Sequence, residues 1–186
     1  MKRICLLVVL FLFLVGCKSS PDKMEKITSF RSELLHGTGC TFTAQITADY
    51  GQKVYTFKMY CQSDNSGKIS FEVISPESIE GITGSLSAEG GNLTFDDHAL
   101  LFSMLADGRL SPVSSPWIMM RALRSGYISG CCEEAGGLVV HIDDSYQENS
   151  LQLIIRTDLS NRPKSAEIYY RGNRILTLLV EEFSIL

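Results

Sequence analysis

The sequence predicts an α+β domain, one antiparallel sheet of about ten or eleven strands joined by short turns and accompanied by two helices. Three observations predict it. Apolar and polar residues alternate in a series of short segments that begins with CTFTAQITADY at residues 40 to 50. Turn clusters rich in Gly, Asp, Asn and Pro separate these segments. Only two stretches, around residues 30 and 120, carry a helical apolar spacing or are apolar on nearly every side. A sheet that long tends to curl, and curling round an apolar helix would leave an apolar hollow.

The chain opens with Lys2 and Arg3, an apolar run from Ile4 to Val15, and then Gly16-Cys17. The run is well short of the roughly 20 residues that a membrane-spanning helix needs. Basic start, apolar core and small residues have the layout of a secretory signal peptide. Leu14-Val15-Gly16-Cys17 resembles the lipobox of bacterial lipoproteins, in which the Cys thiol receives a diacylglyceryl group, the peptide is cut before it, and the new amino terminus is often acylated by a chain such as palmitate. The resemblance implies a signal peptide over residues 1–16, a lipidated tether over 17–23 and a folded domain over 24–186. Cys17 is then a lipidation site, and two or three acyl chains hold a protein on a bilayer where one does not. The expected location is the cell membrane, lipid-anchored on its extracytoplasmic face.

In the domain, Met24, Ile27, Phe30 and Leu34 recur at three- and four-residue spacing, which predicts a helix with one buried face. Gly37 and Gly39 stop it. In CTFTAQITADY the even positions Cys40, Phe42, Ala44, Ile46 and Ala48 are small or apolar, as in a strand covered on one side. KVYTFKMYC repeats the pattern with Tyr55, Phe57 and Met59. A turn at Asp49-Tyr50-Gly51-Gln52 sets Phe42 opposite Met59, Ala44 opposite Phe57, Ile46 opposite Tyr55 and Cys40 opposite Cys61. Opposed residues have Cα atoms roughly 4.5 to 5.5 Å apart, within the span of a disulfide. The expected bridge is Cys40–Cys61; the alternative is a pair of buried thiols.

Further strands are expected over residues 68–74, 81–87, 91–96 and 99–104, parted by Asp64-Asn65-Ser66-Gly67, Ser75-Pro76, Glu89-Gly90-Gly91 and Asp96-Asp97. Ser115-Pro116 reads as a helix start, with a capping hydroxyl before a first-turn Pro. WIMMRALRS then runs to a stop at Gly126. Apolar nearly all round, this helix is either sandwiched in the core or covers a cavity. Four strands, over residues 137–142, 150–158, 164–171 and 174–183, close the chain.

Several functions are disfavoured by composition and pattern. Without Lys2 and Arg3 the chain has 15 basic against 21 acidic residues, a net charge of −6, and no basic cluster. That argues against nucleic acid and against electrostatic adhesion to anionic lipid headgroups. His36, His98 and His141 are scattered, with no HExxH spacing; no GxSxG elbow or phosphate loop is present. Asp96-Asp97-His98 and Asp143-Asp144 read as solvated strand ends. Cys131-Cys132 could form a vicinal disulfide, bind a metal with His141, or be two thiols at a loop. No catalytic residue, metal site or cofactor is assigned, and an enzyme is not expected.

PESIEGITG at residues 76 to 84, GNLTFDD at 91 to 97, LSPVSSPW at 110 to 117, GYISG at 126 to 130 and DDSY at 143 to 146, in this order of elements, resemble clostridial membrane lipoproteins of the LolA-like group. That superfamily includes the periplasmic lipoprotein carrier LolA and its outer-membrane receptor LolB. The resemblance implies an unclosed antiparallel β-barrel whose helices form a lid over an apolar cavity. It implies a binder of a lipid, acyl chain or lipopeptide, with Phe42, Ile46, Tyr55, Phe57, Met59, Phe71 and Val73 facing the cavity and Trp117, Met120 and Leu123 on the lid helix. Spore-germination lipoproteins also resemble this group, which keeps a non-catalytic scaffold for a cell-envelope or spore-envelope protein as the alternative.

Overall fold

The computed structural model describes residues 21–87, 94–95, 105–106, 108, 110–145 and 150–186. Helix α1, Pro21–His36, leads into strands β1 (Gly39–Asp49), β2 (Val54–Asp64), β3 (Ile69–Ser75), β4 (Thr83–Leu86) and β5 (Thr94–Phe95). A short 3-10 turn, Pro112–Ser114, precedes helix α2, Ser115–Ser125. Strands β6 (Tyr127–Glu134), β7 (Gly137–Asp143), β8 (Gln152–Thr157), β9 (Pro163–Tyr170) and β10 (Asn173–Ile185) follow. All ten join one sheet in the order β5-β4-β3-β2-β1-β10-β9-β8-β7-β6. Every pairing is antiparallel. The sheet is unclosed, and two helices cover one of its faces, as expected. The strand expected over residues 99–104 lies outside the described residues, as do Asp96-Asp97-His98 and Cys17.

One face of the sheet carries the core. Ala44, Ile46 and Ala48 on β1, Phe57 and Met59 on β2, Ile155 on β8, Ala166 and Ile168 on β9 and Leu178 on β10 are all almost fully buried. From α1, Ile27, Phe30 and Leu34 join the same cluster. Met24 does not: it lies a turn short of that face in the first turn of the helix and is exposed. From α2 come Ile118, Met119, Met120, Ala122 and Leu123. Each of the larger side chains among these contributes roughly 1.5–3 kcal/mol relative to an exposed one.

The β1–β2 hairpin corrects an expectation. Its closing pair is Asp49↔Val54, and the loop is Tyr50 to Lys53, with the Tyr50 N–H donating to the Lys53 carbonyl at 2.9 Å. The Gly51 N–H donates to Asp49 Oδ1 at 2.7 Å, and Gly51 has φ +79°. Asp49 therefore braces the turn from the last ladder position instead of sitting in the loop. The register moves by two residues: Phe42 faces Cys61, Ala44 faces Met59, Ile46 faces Phe57, and Cys40 faces Ser63. Cys40 and Cys61 are free thiols and not the expected bridge. A slip of two leaves every side chain on its expected face, whereas a slip of one would have reversed them all.

Two further differences concern the second half. Residues 127–134, without an apolar alternation, form strand β6 at the sheet edge, so Cys131-Cys132 sit in a strand and not a loop. The N-cap of α2 is Ser114, one residue earlier than expected, and its hydroxyl does not cap. Ser114 Oγ and Ser115 Oγ instead donate back to the Ser111 and Pro112 carbonyls, both at 2.6 Å.

Candidate functional site: the inner face and its helical cover

Most of the residues expected to face a cavity are brought together. Phe42, Ile46, Phe57, Met59, Phe71, Val73, Met120 and Leu123 belong to one buried cluster, and Trp117 packs half-buried against it. Tyr55 departs. Parity places it on the inner face, but it lies opposite Ala48, next to the hairpin, and is 44% exposed. Its ring makes an edge contact with Tyr50, centroids 5.6 Å apart at 87°. Tyr55 is thus a rim residue of the inner face, not part of its floor.

The floor is set by small residues that composition alone does not single out. Ala44, Ala48 and Ala166 have no accessible surface and belong to the same core cluster. Phe183 of β10 stacks on Phe42, centroids 5.6 Å apart, and tilts against Phe30 of α1 at 6.1 Å. Such pairs add about 0.5–1.5 kcal/mol beyond area burial. Phe30 thereby seats α1 on the inner face.

Polar fastenings of the cover sit at its margin. From α1, Arg31 Nε donates to the Leu123 carbonyl at 2.7 Å, and its Nη2 donates to the carbonyls of Gly126 at 2.9 Å and Ala122 at 3.3 Å. These carbonyls cluster at the end of α2, where that of Ala122 also accepts the Gly126 N–H at 2.8 Å, and the charge meets the negative end of the helix dipole. Burial lowers the Arg31 pKa from its ordinary value, though not enough to discharge a guanidinium. Arg124 Nη2 donates to the Asn65 carbonyl in the β2–β3 turn. Arg121 pairs with Asp144 and lies 4.6 Å from the Trp117 ring centroid. Arg162 makes a two-pronged ion pair with Glu33 of α1, at 2.7 and 3.0 Å. Arg31 shares the helical face of Ile27 and Leu34, so the sequence shows a cation on an apolar stripe but not the main-chain acceptors it meets.

The cysteines fall into two environments. Burial, opposed by Arg124, pushes the Cys40 thiol up to about 11; Cys61, more deeply buried and beside Cys40, is raised further. Cys131 opposes Val140 and Cys132 opposes Val139, so their side chains leave β6 on opposite faces. That geometry is incompatible with a vicinal disulfide, and it separates Cys131 from His141. Among the described residues no three His, Cys, Asp or Glu side chains come together as a metal site. Asp144 is taken up by Arg121.

A separate surface cleft of about 690 Å³ lies at the β6–β7 and β8–β9 turns, between Leu138, Val139 and Leu159 and the charged Glu134, Arg156 and Lys164. It includes none of the residues expected to face a cavity. No helix among the described residues is long and apolar enough to cross a membrane.

No protein-family model matches the chain, and no curated protein matches it. Solved structures do show likeness. A conserved protein of Thermus thermophilus described as uncharacterized is 15% identical, with a TM-score of 0.45 over 88% of this chain and 87% of that one. A LolA superfamily protein from Nitrosomonas europaea is 8% identical, with a TM-score of 0.41 over 88% and 94%. The Pseudomonas aeruginosa MucA/MucB complex contains a chain 7% identical, with a TM-score of 0.39 over 87% of this chain and 57% of that one.

Proposed function

We propose that this protein is a membrane-tethered extracytoplasmic lipoprotein that binds a lipid, an acyl chain or a lipopeptide between the inner face of its sheet and α2, without catalysing a reaction. The observation that supports the reading is the cover. A continuous apolar sheet face is capped by a helix whose buried side chains include Met119 and Met120, adaptable residues that fill variable apolar space. Its polar fastenings are peripheral bonds from Arg31, Arg121 and Arg124. Lifting α2 would break a few marginal hydrogen bonds and expose apolar surface, which an acyl chain could cover at about 25 cal/mol per Å² before ordering costs. Lipidation at Cys17 would keep the domain on the extracytoplasmic face of the cell membrane.

One observation favours a second reading, a non-catalytic scaffold for a cell-envelope or spore-envelope protein. Phe42, Ile46, Phe57, Met59, Phe71 and Val73 already pack into one core, and a filled interior is what a scaffold needs.

Native mass spectrometry of the domain from Ser19 onward, purified without detergent and followed by organic extraction, separates the two. A stoichiometric adduct that extracts as lipid is expected. A bare protein mass, with no uptake of added fatty acid or lipopeptide, would overturn the binder in favour of the scaffold.

A further inference from the structure

We infer that the β8–β9 turn is a second membrane contact, with Leu159 entering the bilayer interface close to the lipid anchor. The inference rests on the lipidation of Cys17 proposed above and adds to it the way the domain faces the membrane. Leu159 is 80% exposed, more than any other large apolar side chain among the described residues. The turn does not need it there. Asp158 Oδ1 accepts the Ser160 and Arg162 N–H groups at 2.8 and 2.9 Å. The Asn161 N–H donates to the Asp158 carbonyl at 3.1 Å, and Asn161 takes the left-handed conformation at φ 61°. Asp158 and Asn161 thus supply the turn chemistry, and a polar side chain at 159 would serve the fold as well.

Leu159 is also not an isolated apolar residue. It lines the surface cleft of about 690 Å³ together with Leu138 and Val139. The two acids of that cleft are engaged, Glu134 by Arg156 at 3.8 Å and Asp158 by its own turn. Lys164, in the same cleft, has no partner among the described residues. Its apolar stem lets the ammonium reach the phosphate level while Leu159 enters the apolar side of the interface. An exposed leucine beside an uncommitted lysine therefore suits a lipid surface.

The tether decides the occupant. Four peptide steps separate Cys17 from Pro21, where α1 begins, so a lipidated Cys17 holds the helix start within about 14 Å of the bilayer. The first turns of α1 stand beside the β8–β9 turn, because Glu25, Lys26 and Ser29 line one surface cleft with Ser160 and Asn161. Lys26 is only about 7.5 Å along the helix from Pro21. The turn that presents Leu159 is thus held near the membrane by the anchor. Once the acyl chains are inserted, the high effective concentration of bilayer lets one leucine bias the orientation.

The other end of the sheet supplies the contrast. Ser165 opposes Leu179, and Leu179 opposes Gln45. From that row β9 runs back to its start at Pro163, while β1 runs the opposite way to Asp49 and the hairpin. At about 3.3 Å per residue the two turns are at least about 20 Å apart. Val54, 60% exposed at the hairpin, is also apolar but stays in water when Leu159 is in the interface.

The test uses the full chain, purified from membranes with its lipid and reconstituted into phosphatidylcholine vesicles brominated on the acyl chains. Trp117→Phe removes the sole native indole. In that background the emission of Leu159→Trp should fall by at least about half relative to unbrominated vesicles, since an interfacial apolar side chain sits roughly 5–10 Å into the headgroup boundary. The emission of Val54→Trp should be unchanged. High salt should leave the quenching in place, because the contact is apolar and the chain without Lys2 and Arg3 has a net charge of −6. Quenching abolished by salt would overturn the inserted leucine. A lipidated chain in which Leu159→Trp is quenched no more than Val54→Trp overturns the contact and leaves the tether standing. A chain whose mass shows no lipid at Cys17 overturns the tether, and with it the argument for this contact.

Discussion

Arg31 Nε donates to the main-chain carbonyl of Leu123 at 2.7 Å, joining α1 to the end of α2 across 92 residues of sequence. The same guanidinium reaches Gly126 and Ala122, so one side chain gathers three acceptors at the end of α2, that of Ala122 shared with the Gly126 N–H. Arg31→Ala should cost about 1–3 kcal/mol, as expected when part-buried acceptors lose a charged donor. Arg31→Lys should recover only part, since an ammonium cannot reproduce the guanidinium fork. Urea unfolding checks both, and an unchanged midpoint for the Ala variant would remove the fastening role. If α2 is a lid, the Ala variant should also take up apolar dye faster than the wild type.

Gly126 marks where the end of α2 presses on the sheet. Its φ of −66° is ordinary, so backbone freedom is not the reason for a glycine here. A Cβ would stand 2.4 Å from Ile142 Cγ2 and 2.8 Å from the Ala122 carbonyl oxygen. Gly126→Ala should therefore destabilise by about 1–3 kcal/mol, the usual cost of overpacking. Gly126→Ala with Ile142→Leu, which removes the β-branch methyl at nearly constant volume, should recover part of that loss, and thermal melts of the two variants would show whether the methyl contact is responsible.

The inner face was legible because period two survives an error of two. The sequence places the β1–β2 turn one residue early, yet Phe42, Ile46, Phe57 and Met59 still face inward. Tyr55 shows the limit: alternation gives a side, not the depth to which the helices cover it. β6 left no pattern because an edge strand has little to bury, and its run YISGCCEE is mostly exposed. α2 was visible from Pro116 and Gly126. Arg31 as its fastener was not, because a main-chain acceptor has no signature in sequence.

The cysteines should separate sharply in reactivity. A thiol reacts as its thiolate, and burial raises Cys40 and Cys61 well above the ordinary thiol range. Cys132 is exposed and Cys131 is partly covered, with burial and the neighbouring Cys132 raising the Cys131 thiol. Under native conditions at pH 8, maleimide should modify Cys132 first, Cys131 slowly, and Cys40 and Cys61 only after unfolding. Non-reducing peptide mapping should find no Cys40–Cys61 bridge; finding one would contradict the free thiols of the hairpin.

Glu167 should contribute a pH dependence to stability. Burial raises its pKa, but hydrogen bonds from Arg156 and Arg174, at 3.0 and 2.8 Å, outweigh this and hold the carboxylate below its usual range. A group depressed in the folded state stabilises above its unfolded pKa and loses that contribution as pH falls through the folded value. Wild type should therefore lose stability on acidification through and below the ordinary glutamate range. Glu167→Gln should be less stable at neutral pH and show a shallower acid slope. Equal slopes in urea titrations at several pH values would exclude Glu167 as a source.

The lid reading makes its sharpest prediction at Trp117, which packs half-buried against the core under the Arg121 guanidinium. Because Trp117 is not fully buried, Trp117→Glu should fold, whereas a charge at Phe57 would sit in the core without a partner and unfold the domain. If acyl chains enter beneath α2, Trp117→Glu should weaken fatty-acid uptake at least about tenfold, a change of roughly 1.4 kcal/mol in binding, while circular dichroism stays native. Tyr55→Ser, at the exposed rim, should weaken it less if the chain passes there on its way in. Equal uptake by wild type and Trp117→Glu would place any bound lipid elsewhere, and the packed inner face would then be only the core of a scaffold.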